Sequence, residues 1–335
     1  MTDCHRHTDL YIELTNRNTT FHFIILGATH VKLLQKTENI DLYEFYIKIS
    51  LYCLLPLLGR LPFPLAWKLN RIRGAFRYHI GWYRAYINRP GLKEIAIQNV
   101  IQAGFTRSAA KRIVKDVFVV ETGFELEGLL HDKFNADWLE ENLLTIHNMS
   151  NLINAMEKGK GVILATAHTA NFELVELYVA LRGIPISGLY GLPQHKPRNS
   201  MERFALERFA RISDKIGAIY TSGGLRELYK VLERGECVMW LIDLPAGNNK
   251  RSVHVKFMEE TISVANSFVT VSAKADAPIV PMISVARKRP GYQVFFGRPI
   301  LPGSSPQESF SFMESHLRKS PESWIGWYYL DRMKV

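Results

Sequence analysis

The sequence contains few cysteines and no long uninterrupted apolar run. Cys4, Cys53 and Cys237 are odd in number and widely spaced, which excludes a disulfide framework and a CxxC metal site and indicates a reducing compartment. The most membrane-like stretch, residues 47–67, is interrupted by two basic residues and three prolines. We expect it to form an interfacial helix rather than a spanning one. Because residues 1–18 lack a signal-peptide pattern, the chain is expected to stay on the cytoplasmic side of a membrane.

Signature motifs of several enzyme classes are also missing from the sequence. No HExxH motif or Cys/His cluster occurs, so no metal site is expected. There is no P-loop or GxGxxG phosphate cradle, and Thr221–Gly224 does not match the GxSxG turn of α/β-hydrolases. The chemistry must therefore come from other residues.

Acidic residues are too few to balance the basic ones. The chain has 42 Lys and Arg against 32 Asp and Glu, a formal charge of +10. This surplus suits nucleic acid, an anionic membrane surface, a phosphorylated substrate or an acidic carrier protein, or serves only solubility. The basic residues are scattered and no nucleic-acid-binding motif accompanies them, so nucleic acid is not expected as a partner.

The first 90 residues differ in character from the rest. Residues 45–86 are rich in aromatic and basic side chains, a combination that suits a lipid headgroup layer. The alternative is an amphipathic helix that packs on the protein with its arginines in water. A turn signal at Asn88–Gly91 marks a boundary. We predict a helical, membrane-facing section over 1–90 and a second domain over 91–335.

From residue 92 onward, the periodicity predicts an α/β fold. Apolar residues at helical spacing over 92–130 indicate two helices, with an N-cap near Thr106. Six short apolar runs then predict strands, near residues 161–167, 184–189, 218–220, 237–242, 279–284 and 292–296. Helical segments over 171–182, 200–212 and 224–234 lie between the strands. This alternation is typical of a mostly parallel central sheet flanked by helices.

His168 and Glu173 follow the first buried strand, where open α/β sheets bind ligands. On one continuous helix they would lie about 140° apart. If His168 instead occupies the turn before the helix, Glu173 can reach back to it. His168 can then act as general base toward a hydroxyl while Glu173 accepts from its other ring nitrogen. A structural histidine beside an acid is the alternative.

Further blocks occur in a fixed order around this pair. They are Asn99-Val100, the His168–Glu173 block HTANFE, Lys215–Tyr220, Leu232–Asp243, Asp276–Met282 and Pro321–Trp327. In this order, from about Leu92 to the C-terminus, the chain resembles the bacterial lipid A biosynthesis (lauroyl/myristoyl) acyltransferases, which are relatives of the glycerolipid acyltransferases. Glycerolipid relatives usually carry Asp where this chain has Glu173, which favours the lipid A branch.

The resemblance implies an acyltransferase with His168 and Glu173 as catalytic residues. The donor would be an acyl thioester, of acyl carrier protein or coenzyme A, and no cofactor is expected beyond this co-substrate. The acceptor would be a hydroxyl of a membrane lipid, a lipid A precursor or another glycolipid. The enzyme would lie at the cytoplasmic face of the bacterial inner membrane, peripheral or shallowly anchored.

The resemblance also suggests substrate-binding residues. Arg203, Arg208 and Arg211 lie where the family has a functional arginine, which could contact a phosphate or phosphopantetheine. Arg211 is preferred because it is closest to the next block, although solvated helix arginines are the alternative. Asp243 could orient the arginine or the substrate headgroup, or cap the following turn. Asn171 is expected to contact substrate.

Departures from the family leave the acceptor open. Leu244 follows Asp243 where the family usually has Gln, Met258 stands where it tends to have Gly, and residues 328–331 replace a basic tail. A lysophospholipid, aminolipid or secondary-metabolite lipid is therefore an alternative acceptor. A non-catalytic membrane lipid-binding protein of the same fold is the other alternative, although the presence of both His168 and Glu173 argues against it.

Overall fold

The N-terminal part contains strands as well as helices. A computed structural model of the protein describes residues 10–16, 19–26, 30–34, 42–79, 91–191, 196–197, 199–213, 216–220, 225–246, 252–288 and 290–335. Its first elements are the antiparallel strands β1 (Leu10–Asn16), β2 (Thr19–Leu26) and β3 (His30–Leu34). These segments are rich in β-branched and aromatic residues, which favour strands. The predicted helical section over 1–90 therefore becomes helical only from Leu42.

Helices follow these strands up to residue 130. They are α1 (Leu42–Lys48), a π-helical turn (Ile49–Leu54), α2 (Leu55–Leu58), α3 (Phe63–His79), α4 (Leu92–Gln102) and α5 (Arg107–Leu130). The two helices predicted over 92–130 are confirmed, and the Thr106 side chain caps α5 by accepting from the Ala109 N–H at 3.3 Å. The helices in the described ranges are all too short or too polar to cross a membrane.

Helix α3 crosses closely over α5. The crossing occurs at Gly74, where a Cβ would lie 2.7 Å from the Thr122 hydroxyl and from the Val119 Cα. Glycine at this position lets the two backbones approach each other. On either side of Gly74, Arg73 and Arg77 form ion pairs with the buried Glu125 of α5, at 2.5 and 2.7 Å. Close backbone packing at Gly74 and two buried ion pairs therefore hold α3 against α5.

The rest of the chain alternates between strands and helices. The elements are α6 (Ala136–Asn142), β4 (Leu144–His147), α7 (Ser150–Met156), β5 (Val162–Thr166), α8 (Phe172–Leu181), β6 (Ile186–Tyr190), α9 (Ser200–Ser213), β7 (Gly217–Tyr220), α10 (Arg226–Glu233), β8 (Cys237–Leu241), β9 (Ser252–Phe257), β10 (Glu260–Ala265), α11 (Ser267–Ala275), β11 (Ile279–Ala286), β12 (Tyr292–Phe296) and α12 (Gln307–Leu317). Single 3-10 turns occur at His131–Lys133, Pro321–Ser323, Ile325–Tyr328 and Leu330–Arg332.

In the described part of the chain, seven of these strands form one sheet in the order β4-β12-β11-β5-β8-β6-β7. Strands β11 and β12 pair antiparallel, whereas the other neighbours in this sheet are parallel. Strand β5 lies at the centre and is buried along its whole length, as expected for a strand covered on both faces. The predicted α/β fold, a mostly parallel sheet flanked by helices, is confirmed.

Some predicted features are not described by the structure. Cys4, the turn residues 88–90, Lys215 and residues 221–224 lie outside the described residues. The division of the chain at residue 90 and the membrane-facing role of the first section stay predictions. The hairpin of β9 and β10 was not predicted from the sequence.

Candidate active site

His168 lies in the turn between β5 and α8, at the carboxyl edge of the sheet. The C-terminal segment holds this turn, because the Ala170 N–H donates to the Ser323 carbonyl at 2.6 Å and the Ile325 N–H donates to the His168 carbonyl at 3.0 Å. Ala170 has a φ of 31°, which residues other than glycine rarely adopt. These contacts therefore maintain a strained backbone beside His168.

Strand register brings His168 to Asp243. Thr166 at the end of β5 pairs with Leu241 at the end of β8. His168 lies two positions after Thr166, and Asp243 lies two positions after Leu241. His168 Nδ1 lies 2.8 Å from Asp243 Oδ1, and the His168 backbone N–H donates to Asp243 Oδ2 at 3.0 Å. A carboxylate only accepts, so Nδ1 carries the proton in this pair. Asp243 thus fixes both the orientation and the tautomer of the ring.

Asp243 is fully buried and remains charged. Burial raises the pKa of Asp243, but the neighbouring His168 and the donors on its oxygens outweigh burial, and the net pKa lies below its ordinary value. Those donors include Trp324 Nε1, at 2.9 Å from Oδ2. The Tyr329 hydroxyl also donates to Oδ2, at 3.1 Å. The site therefore holds a carboxylate that is ready to stabilise a protonated imidazole.

Glu173 does not occupy the place expected from the sequence. The structure pairs its Oε1 with Arg208 Nη2 of α9 at 2.8 Å, in an ion pair whose side chains are largely buried. Among the described residues, no hydrogen bond joins Glu173 to His168. The expected His168–Glu173 pairing is corrected to His168–Asp243, because β8 ends beside His168 whereas Glu173 in the first turn of α8 faces α9.

The three arginines of α9 separate into one inward and two outward side chains. Arg208 is mostly buried at its contact with Glu173. Arg203 and Arg211 are exposed, as expected for solvated helix arginines. The preference for Arg211 therefore gains no support, and Arg208 is the arginine that the fold places at the site.

The sequence was also compared with known proteins. The model of the bacterial lipid A biosynthesis acyltransferase family matches residues 79–327, which is most of the chain. The chain belongs to this family. It is therefore an acyltransferase that acts on lipid. A search of curated proteins found no matching sequence.

In this lipid A acyltransferase family member, Asn171 links two structural elements. Its Oδ1 accepts from the Leu174 N–H at 3.1 Å and so caps α8, while its Nδ2 donates to Glu127 Oε2 at 2.7 Å. The side chain is buried. Both ends of the amide are therefore engaged within the protein, and the predicted substrate contact of Asn171 stays a prediction.

Three residues of the candidate site were not assigned a role from the sequence. Trp324 and Tyr329 bind Asp243, and Glu127 binds Asn171. The block Pro321–Trp327 signalled that Trp324 belongs to the family pattern, but it gave no role for the indole N–H. For Glu127 and Tyr329, which lie on other elements, the sequence offered no local signal.

The second ring nitrogen of His168, Nε2, is not held by Asp243. Nδ1 is bound to Asp243, and within the described residues no hydrogen bond engages Nε2. The side chain keeps 21% of its surface accessible, and Phe172 packs edge-on against the ring with centroids 5.6 Å apart. No metal-binding group of three or more His, Cys, Asp or Glu residues occurs in the part of the chain that the structure describes.

Proposed function

We propose that this acyltransferase moves a fatty acyl group from an acyl thioester to a hydroxyl of a membrane lipid, with His168 as general base. The observation that carries the proposal is the contact between His168 Nδ1 and Asp243, 2.8 Å long. It leaves Nε2 of a partly accessible ring for the substrate. This is the arrangement of a base and its orienting carboxylate without a nucleophile of the enzyme's own.

The reaction requires His168 Nε2 to accept one proton from the lipid hydroxyl and to give it to the leaving sulfur. As the lipid hydroxyl oxygen attacks the thioester carbonyl carbon, Nε2 takes the hydroxyl proton and Asp243 stabilises the resulting imidazolium. The tetrahedral intermediate then collapses with cleavage of the carbon–sulfur bond. The proton passes from Nε2 to the leaving sulfur. The products are an acyl ester of the lipid and a free thiol on the carrier.

Glu173 and Arg208 form a second charged group in the same proposed site. Glu173 lies five residues after His168 and accepts from Arg208 Nη2 at 2.8 Å. This carboxylate holds the guanidinium in one orientation, in which it can meet an anionic group of the substrate. A phosphate of the lipid headgroup or of the phosphopantetheine arm has the required charge and geometry.

A membrane surface is the proposed place of action, at the cytoplasmic face of a bacterial inner membrane. Helix α3 exposes an apolar stripe, at Leu65, Leu69, Ile72 and Phe76, with exposed fractions of 38 to 66%. The members are spaced three or four residues apart and share one helix face. Arg60 and Lys68 are exposed beside them. An apolar face with flanking bases suits peripheral binding to anionic lipid.

The proposed donor is acyl carrier protein or coenzyme A, and the proposed acceptor is a lipid A precursor or another glycolipid. A net charge of +10 suits an acidic carrier protein. Departures at Leu244 and Met258 from the family pattern keep lysophospholipids, aminolipids and secondary-metabolite lipids as alternative acceptors.

The test is a transfer assay with purified protein. Each donor, acyl carrier protein thioester or acyl-coenzyme A, is combined with extracted bacterial lipids, and mass spectrometry follows the lipids while a thiol reagent follows the carrier. We expect equal amounts of new acyl ester and free thiol. Thiol release without acyl lipid would show a thioesterase. Lipid binding without thiol release would show a non-catalytic lipid-binding protein, and either result would overturn the proposal.

A further inference from the structure

Glu127 is a buried carboxyl residue of α5 that contacts the turn before α8 through Asn171. It is 1% exposed. Its Oε2 accepts from Asn171 Nδ2 and from the Tyr292 hydroxyl, both at 2.7 Å. A buried carboxyl group is unfavourable unless its hydrogen bonds are made. Glu127 therefore joins three elements, namely α5, β12 and the turn before α8.

The contact with Asn171 bears directly on the site. Asn171 lies between His168 and Glu173, and its Oδ1 caps α8 at the Leu174 N–H. Donation from Nδ2 to Glu127 determines which end of the amide faces the helix. Without Glu127, the amide could rotate and lose the cap. The start of α8, and with it the position of Glu173, depends on this hydrogen bond.

Glu127 also acts on Arg208 by charge. Arg208 crosses α5 at Gly128, where a Cβ would overlap its side chain. Burial raises the pKa of Glu127 to about 7, and the hydrogen bonds from Asn171 and Tyr292 and the attraction of Arg208 oppose this rise. Arg208 in turn holds Glu173. Within the described residues, Glu127 Oε1 and Arg208 Nε are both buried and neither has a hydrogen-bond partner.

We propose that Glu127 is a positioning residue for acyl transfer, which through Asn171 and Arg208 sets where Glu173 lies relative to His168. The inference rests on the proposed function, since it concerns the same site. Glu127 itself makes none of the contacts assigned to the reacting groups. Its loss should lower kcat through misplacement of other residues and leave thioester binding nearly unchanged.

The test compares Glu127→Leu with Glu127→Gln in the transfer assay on the full-length protein. The leucine removes the acceptor and the charge, so we expect kcat to fall about 100-fold, as small misplacements of catalytic groups do. The KM for the thioester should stay within about 3-fold, because uniform binding is unaffected. The glutamine keeps an oxygen for Asn171 and Tyr292 but loses the charge that acts on Arg208, so its kcat should lie between those of the leucine variant and the unaltered protein.

Two further variants separate positioning from folding. Glu121→Leu removes another buried glutamate of α5, which accepts from the Tyr328 hydroxyl at 3.1 Å, and it should keep kcat in the folded fraction. The pair Glu127→Leu and Asn171→Ala should lose less than the product of the two single losses, because the two side chains share one hydrogen bond. If the leucine variant folds poorly, the single variants Asn171→Ala and Glu127→Gln still test the contact.

The outcomes are distinct. If the unaltered protein transfers acyl groups and Glu127→Leu keeps its kcat, the positioning role is wrong and the proposed function stands. Equal losses in Glu127→Leu and Glu121→Leu, or multiplying effects of Glu127→Leu and Asn171→Ala, also overturn it. If the unaltered protein transfers nothing, the proposed function fails and this inference fails with it.

Discussion

At the scale of single residues, the site depends on donors that converge on one carboxylate. Asp243 accepts from the backbone and ring of His168, from the indole of Trp324 and from the hydroxyl of Tyr329. The His168 and Trp324 donors lower the pKa of Asp243, and burial opposes them. The balance leaves a carboxylate in a buried position, where its effect on the imidazole is strongest.

Replacing this carboxylate should disable catalysis without unfolding the protein. In Asp243→Asn an amide faces His168 Nδ1, and the ring can adopt the other tautomer and loses the stabilisation of its protonated form. We expect kcat to fall by about 10³-fold or more, as in other histidine bases that lose their carboxylate. Asp276→Asn, at an exposed position in the same chain, is the matched control in the transfer assay. Near-normal kcat in Asp243→Asn would show that this carboxylate does not assist the base.

Arg208 and Arg211 lie on the same helix but in different surroundings. Arg208→Lys loses the planar contact with Glu173 and should lower kcat/KM by about 10-fold or more. Arg211→Lys changes an exposed side chain and should leave it within about 2-fold. Steady-state kinetics on both variants checks this contrast. The opposite ranking would return the role to Arg211.

At the scale of secondary structure elements, local patterns in the sequence carried most of the information on the sheet. The buried run around residues 162–166 and the capping residue Thr106 have short-range causes, namely burial on both faces and side-chain acceptance of a free backbone N–H. The hairpin of β9 and β10 was missed because its alternation is short. The N-terminal strands were missed because an aromatic, basic segment after them dominated the composition.

We predict that the exposed apolar stripe of helix α3 binds the membrane surface. Ile72→Asp with Phe76→Asp places two charges on this stripe. Each substitution removes about 1.5 kcal/mol or more of the free energy gained when the apolar side chain is buried in lipid. Partitioning to vesicles that contain anionic phospholipid should therefore fall at least about 10-fold. Leu301→Asp is the control, at a residue 72% exposed outside α3. Sedimentation with vesicles measures the effect, and equal binding by all variants would reject the stripe as the membrane contact.

At the scale of the whole molecule, the site combines residues that are distant along the chain. His168 and Asp243 are 75 positions apart, and Trp324 is 81 positions from Asp243. The sequence predicted that His168 lies in a turn at a strand end. It did not predict the partner, because that depends on the order of strands in the sheet and on the register of β5 against β8. Glu173 was the nearest acid along the chain, whereas Asp243 is the nearest in space.

A buried acid next to the site makes stability depend on pH. Burial raises the pKa of Glu176 to about 8, against a hydrogen bond from Tyr190 that lowers it. In the unfolded chain its pKa is near 4.5. The unfolded state therefore gives up this proton first, and stability falls as pH rises from about 4.5 to about 8.

The variant Glu176→Gln should remove that part of the pH dependence. Relative to the unaltered protein, we expect it to gain on the order of 3 kcal/mol of unfolding free energy between pH 5 and pH 8. Urea unfolding at the two pH values measures the change. Glu141→Gln, at an exposed glutamate, should show no such gain. A constant difference across pH would mean that Glu176 is not held neutral in the folded protein.

The central claim is that His168 is the base for acyl transfer, and the rate of ester formation by His168→Ala tests it most directly. His79→Ala, at an exposed histidine, serves as the control, and circular dichroism checks that both variants fold. The account predicts a loss of about 10³-fold in His168→Ala, within the range for removal of a general base, and a normal rate in His79→Ala. A folded His168→Ala variant that forms ester at the rate of the unaltered protein would contradict it.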